Sequence, residues 1–234
     1  MKTVAIVLAA GQGKRMNSDV AKQYLNLQGK PILFYALDVF EKSFIDEVVL
    51  VVGADEVSYC KKEIVEKYNF QKVTKIVAGG KERYHSVVAG LGEILETDYI
   101  FIHDGARPFI NQEILLRGLE QVKENQACVI GMPTKDTIKI ADEDGWIDGT
   151  PNRSLIWMIQ TPQIFSYSLI KEAYGKLMEE ENNLQNQGIQ ITDDAMVVEL
   201  LTNHKVKLVE GSYSNIKITT PEDLKIAEVF LQNL

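Results

Sequence analysis

Short apolar runs alternate with amphipathic stretches along the chain. VAIVLA (4–9), EVVLVV (47–52), KVTKIV (72–77), YIFIHD (99–104) and ACVIGM (127–132) read as strands. The first, second and fourth are almost uninterrupted in apolar residues, as expected for strands covered on both faces. Between them, residues 31–42, 55–68, 83–95 and 111–124 carry apolar side chains at helical spacing. This alternation predicts an α/β fold: a Rossmann-like, mainly parallel sheet flanked by helices, with right-handed crossovers. Ligands of such sheets sit beyond the carboxyl ends of the strands, which puts Gly11, Gly80 and Asp104 on one edge.

The pattern changes between Pro133 and Pro151. KDTIKIADEDGWIDGTP alternates polar and apolar residues, and Asp144–Gly145 marks a turn, so a β-hairpin is expected. Ile138, Ile140, Trp146 and Ile147 need a surface to cover them. Either the hairpin folds back on its own domain or it is an arm that grips another subunit. Regular elements then resume: SLIWMIQTPQIF, helices near 167–181 and 193–202, strands in KVKLVEG and NIKIT, and a last helix. Thr220, Pro221 and Asp223 form its N-cap, first-turn proline and capping-box acid. No linker, repeat or low-complexity run divides residues 1–234, so one domain including the 134–153 arm is expected.

Charge sharpens this picture. The 234 residues carry a net charge of −8, which disfavours a nucleic-acid binder. Yet residues 1–31 hold Lys2, Lys14, Arg15, Lys22 and Lys30 against the single acid Asp19, a local net of +4. Cys60 and Cys128 are the two cysteines; both read as buried reduced thiols, and no Cys/His cluster has metal-ligand spacing. No run reaches the roughly 18 apolar residues that a membrane span needs. The opening MKTVAIVLAAG leads straight into a loop rather than a cleavage site, so a cytoplasmic protein is expected.

Four segments carry candidate chemistry. GQGKRM follows the first strand; its glycines let backbone N–H groups approach a phosphate, and Lys14, Arg15 and Lys22 supply charge. It is neither a P-loop nor a complete dinucleotide fingerprint, and an ordinary tight turn with exposed cations is the alternative. Gly79–Gly80 with Ser86 could receive a base or sugar, or simply cap a helix. Asp104 and Arg107 could hold a metal–phosphate unit from opposite sides, or pair to stabilise a turn. His103 reads as a hydrogen-bonded structural histidine, and His85 and His204 lack an obvious partner. Arg153, Thr161, Asp193 and Lys217 are polar residues in or beside apolar segments; an inward-facing Lys217 would need an anion.

In order along residues 8–224, LAAGQGKRM with KQY, GGKER..SV, HDGARP, KDTIK, R..IW..QTPQ, TDDA and EGSYSNIKITTPEDL resemble the 2-C-methyl-D-erythritol 4-phosphate cytidylyltransferase family of the non-mevalonate isoprenoid pathway. The first three motifs also resemble ribitol-5-phosphate cytidylyltransferase. The resemblance implies transfer of CMP from CTP to the erythritol phosphate, with pyrophosphate released. It makes Arg15 and Lys22 the catalytic cations. Ala10, Gly11, Gly13 and Lys14 wrap the triphosphate; Gly80, Lys81 and Ser86 contact cytosine. Asp104, placed with the nucleotide set, also lines the sugar-phosphate side with Arg107, Thr137 and Lys217. Arg153 and Thr161 enter from the partner subunit, the 134–153 hairpin being the arm of a homodimer. Mg²⁺ is expected to be carried mainly by the CTP phosphates, with few protein ligands. His85 stands where the family often has aspartate and receives no role. A nucleotide-binding module without chemistry would lack the cations of the loop, and an NAD-dependent oxidoreductase would want a complete glycine fingerprint.

Overall fold

A computed structural model describes residues 1–11, 13, 16 and 20–232. In chain order the elements are β1 (Thr3–Ala9), a 3-10 turn (Lys22–Tyr24), β2 (Asn26–Leu27), β3 (Lys30–Pro31), α1 (Ile32–Glu41), β4 (Glu47–Val52) and α2 (Val57–Tyr59). Next come β5 (Val73–Ala78), α3 (Arg83–Gly92), β6 (Tyr99–Asp104), α4 (Gln112–Asn125), β7 (Ala127–Pro133), β8 (Ile140–Ala141) and β9 (Ile147–Gly149). The chain continues through β10 (Trp157–Ser166), α5 (Tyr167–Asn186), α6 (Asp194–Thr202), β11 (Lys207–Glu210) and α7 (Pro221–Gln232).

Seven strands form the central sheet in the order β11-β7-β10-β6-β1-β4-β5. β1 pairs in parallel with β4 and β6, β4 with β5, and β7 with β11; β10 runs antiparallel to both its neighbours. The uninterrupted apolar runs follow from cover on both faces. Along β1, Ala5, Val7 and Ala9 join one cluster with Leu33, Phe40 and Phe101, while Val4 and Ile6 join another with Val51, Ile102 and Phe165. Alternate side chains of a strand point to opposite faces, so each of these strands feeds two cores.

Three predicted elements are redrawn. The helix of 55–68 is a 3-10 turn (Ala54–Glu56), a short α-helix and a π-helix (Cys60–Glu66). The helix of 83–95 stops at Gly92, where Glu93 and Ile94 tighten into i→i−3 bonds and leave Leu95 exposed. NIKIT is extended but belongs to no sheet. It crosses to the loop after β6, where Ile218 N donates to Ala106 O, and Ile218 packs with Phe109 and Ala227. Its alternation therefore reflects one face buried against a loop and a helix rather than a strand ladder.

The 134–153 segment contains the expected turn. Gly145 has φ of +86°, and Asp142 Oδ1 accepts from the N–H groups of Asp144 and Trp146. The paired strands β8 and β9 are only two and three residues long, and they form a sheet of their own. Ile138 is half-buried, whereas Ile140, Trp146 and Ile147 are exposed and find no cover on their own chain. Among the described residues, no helix is long and apolar enough to cross a membrane.

Candidate active site

The carboxyl edge of the parallel strands opens into a cavity of about 220 Å³ lined by Ala10, Gly11, Lys22, Gly80, Lys81, Ser86, Asp104 and Lys217, with Arg83 beside them. Each wall has a local cause. Gln23 is buried and donates to Ala9 O, while Tyr24 donates to Glu56 Oε2. These two anchors fix the turn that carries Lys22 beside the end of β1. Gly13, with φ of +61°, lies against the Lys22 stem: a Cβ there would stand 3.1 Å from Lys22 Cβ. Lys14 and Arg15 lie outside the described residues.

On the opposite wall, Gly79 and Gly80 have no room for side chains. A Cβ on Gly79 would come within 2.5 Å of Ala10 Cβ, and one on Gly80 would collide with His85 Cβ. The Ser86 hydroxyl accepts from Gly80 N, tying the loop to α3. His85 serves the same helix start: Nδ1 accepts from Glu82 N, and Nε2 lies 3.1 Å from Glu181.

A second cavity, about 310 Å³, adjoins the first and shares Arg83, Asp104 and Lys217 with it; Arg107, Gln160, Thr161 and Asp193 add to its lining. Lys217 donates to Asp104 Oδ2 at 2.7 Å, so the lysine faces inward onto an anion. Arg83 Nε lies 3.6 Å from Oδ1. Burial alone would raise the Asp104 pKa, but Arg83, Lys217 and Arg107 outweigh it and hold the carboxyl well below the usual range. Arg107 does not pair with Asp104 directly. Its guanidinium donates to the carbonyls of Asn215 and Ile159, which pins the crossing segment and β10 to the end of β6.

Thr161 is reached through an irregular stretch of β10. Between the register pairs Ile159↔Gly131 and Gln163↔Val129, three residues of β10 oppose the single Ile130 of β7. Such a bulge re-aims side chains. The Thr161 hydroxyl accepts from Asp104 N and donates to His103 Nδ1, leaving His103 Nε2 to donate to the Arg107 carbonyl. Within its own chain, Thr161 therefore stands at the wall of the second cavity, bonded to the end of β6. Thr137 and Arg153 are exposed and line neither cavity; Arg153 donates to Lys135 O at the base of the hairpin.

His103 is held neutral by this arrangement, since both ring nitrogens are matched. Burial lowers its pKa from 6.5 to about 4. The unfolded chain therefore takes up a proton before the folded one as pH falls from about 6.5 toward 4. Stability should drop by on the order of 3 kcal/mol across that window. Asp104, whose folded pKa is depressed, makes its own contribution above the ordinary carboxylate range and loses it only at lower pH. Urea unfolding at about pH 7 and pH 4.5 measures the His103 effect; the pH dependence should flatten in His103→Gln, and an unchanged slope would refute the assignment. Burial also raises the thiols, Cys60 to about 11 and Cys128 to about 12, so both are protonated at neutral pH.

Sequence reasoning missed Arg83, Asp194, Tyr174 and Gln163. Arg83 makes a two-pronged bond to Asp194, both N–O distances being 2.7 Å, and Tyr174 donates to Asp194 Oδ1. Gln163 donates to Asp193 and accepts from Ala195 N. The signal was the R of GGKER together with TDDA, residues too far apart in sequence to be read as one unit.

Two adjoining cavities lined by cations, at the edge where a parallel sheet meets a glycine-bearing turn, suit two phosphate-bearing ligands, the arrangement a nucleotidyltransferase needs. The family model described as 2-C-methyl-D-erythritol 4-phosphate cytidylyltransferase (IspD) matches residues 3–233, and the chain belongs to that family. It is a CTP-dependent cytidylyltransferase of isoprenoid biosynthesis. A protein of that name from Lachnoclostridium phytofermentans is 52% identical over 231 residues, covering 99% of this chain and 97% of its own. One from Clostridium novyi is 46% identical over 234 residues, with 100% and 98% covered. The crystal structure of 4-diphosphocytidyl-2C-methyl-D-erythritol synthase from Anaerococcus prevotii superposes with a TM-score of 0.85 at 36% identity, covering 99% and 96%. The ribitol-5-phosphate alternative is not favoured by these relationships.

Proposed function

We propose that CTP occupies the cavity between β1 and the Gly79–Lys81 loop, and that 2-C-methyl-D-erythritol 4-phosphate occupies its neighbour. The products are then 4-diphosphocytidyl-2-C-methyl-D-erythritol and pyrophosphate. The observation that carries this reading is the wall the two cavities share, with Lys217 seated on Asp104 and Arg83 beside it. A phosphate on one side and a triphosphate on the other can meet there.

The nucleophile is an oxygen of the acceptor's phosphate, mostly dianionic near neutrality because its second pKa is about 6. It needs no general base, and buried His103 has both ring nitrogens engaged within the protein. The obstacle is one anion approaching another, and charge then gathers on the departing pyrophosphate. Arg15 and Lys22 oppose that repulsion and stabilise the transition state. Ala10, Gly11, Gly13 and Lys14 wrap the triphosphate, while Gly80, Lys81 and Ser86 meet cytosine. Asp104 accepts acceptor hydroxyls, and Arg107, Thr161 and Lys217 line that side. Among the described residues, no three His, Cys, Asp or Glu side chains cluster as a metal cage. Mg²⁺ would be held chiefly by the phosphate oxygens of CTP. When bound, the ion neutralises phosphate charge.

Thr137 and Arg153 reach the acceptor cavity from the partner of a homodimer that joins through 134–153. The exposed Ile140, Trp146 and Ile147 support this, because an apolar arm without cover on its own chain fits a subunit contact. The chain acts as a single domain in the cytoplasm. Pyrophosphate release from CTP, with each sugar phosphate supplied singly, tests the reading. Release with the erythritol phosphate and not with ribitol 5-phosphate is expected, and the reverse preference would overturn the acceptor assignment.

A further inference from the structure

The Arg83 guanidinium stands between two carboxylates and serves them unequally. Both of its terminal nitrogens bond Asp194 at 2.7 Å, whereas Nε stays 3.6 Å from Asp104 Oδ1, beyond hydrogen-bonding distance. Asp194 is fully buried and lines neither cavity. Nor does it cap its helix: the side chain of Asp193 does that, accepting from Met196 N. What Asp194 does have is a second buried partner on another helix, Tyr174 of α5, whose hydroxyl donates to Oδ1. Arg–carboxylate pairs of this forked geometry are directional as well as strong.

We propose that Asp194 and Tyr174 are positioning residues for the acceptor. They hold the Arg83 fork turned away from Asp104, so that Asp104 Oδ1 remains open to a hydroxyl of the sugar-alcohol phosphate while Oδ2 is held by Lys217. Once Asp194 loses its charge, the carboxylate left to Arg83 is Asp104. A two-pronged pair with Asp104 would occupy the oxygen that the hydroxyl needs. This inference rests on the placement of the acceptor beside Asp104.

The test measures both Michaelis constants and kcat by pyrophosphate release in Asp194→Asn, Tyr174→Phe and Asp104→Asn, each confirmed folded by circular dichroism. Losing one hydrogen bond to a charged acceptor corresponds to about a tenfold change in affinity. Asp194→Asn should therefore raise the acceptor KM about tenfold while leaving the CTP KM within about twofold. Tyr174→Phe should move the same constant in the same direction by a smaller factor. If Asp194→Asn does not fold, Tyr174→Phe decides alone. A wild-type acceptor KM in the folded variants, or a parallel rise in both constants, overturns the proposal. Asp104→Asn separates the two claims: an unchanged acceptor KM there would mean that the acceptor placement itself is wrong.

Discussion

Lys22→Ala should lower kcat by about 10²–10³-fold, a loss of roughly 2.7–4 kcal/mol of transition-state stabilisation, with a much smaller change in either KM. The size follows from simple electrostatics. Two unit charges about 4 Å apart interact by about 4 kcal/mol at an effective dielectric near 20, and by only about 1 kcal/mol in bulk water. Lys22 is partly buried in a cavity walled by the end of β1 and the Gly79–Gly80 loop. Its charge therefore acts nearer the first regime. The loss should fall on kcat because negative charge concentrates between attacking and leaving phosphates only as the reaction proceeds. Arg15→Ala should behave alike, and pyrophosphate release at saturating substrates measures both. Wild-type turnover in a folded Lys22→Ala enzyme would remove Lys22 from the catalytic role.

Arg153→Ala should raise the acceptor KM by about 30-fold or more and leave the CTP KM nearly unchanged, because removing one partner of a desolvated charge pair costs about 2–5 kcal/mol. Within its own chain Arg153 is exposed, bonding only the Lys135 carbonyl among its described contacts, so a role at the acceptor requires a second subunit. Subunit mixing makes this visible. Assayed with the acceptor well below its wild-type KM, where each variant alone is nearly inactive, Arg153→Ala and Lys22→Ala chains should recover activity on mixing. A randomly assorted two-fold dimer gives heterodimers half the time, each with one intact site, so recovery should approach about a quarter of wild type. No recovery in confirmed heterodimers would place Arg153 at the site of its own chain or outside it.

Much of the frame was legible because it rests on local rules. The doubly covered strands announce themselves through uninterrupted apolar runs, and Asp144–Gly145 through the positive φ that a glycine accepts. Asp223, which accepts from the N–H groups of Thr219 and Thr220, could be read from a capping motif. The errors share a cause: tertiary contact overrides local pattern. NIKIT alternates like a strand because Ile218 is buried against Phe109 and Ala227 while Lys217 turns to Asp104, though no strand lies beside it. The bond of Thr161 to Asp104 N could not be read from sequence either, since it depends on the bulge in β10 that re-aims the hydroxyl. Arg83 begins a helix next to Lys81 and Glu82, and nothing in its neighbours points to a buried partner. Only the fold brings Asp194, 111 residues away, against it.

In the proposed reaction two phosphates meet across Asp104, Lys217 and Arg83, and the cations that follow β1 drive the transfer. Pyrophosphate release from CTP and 2-C-methyl-D-erythritol 4-phosphate by the folded wild-type protein, run beside Lys22→Ala, tests that most directly. The predicted result is release that requires both substrates and falls about 10²–10³-fold in the variant. Release from CTP alone at the same rate, or no release by folded protein with both substrates present, would contradict it.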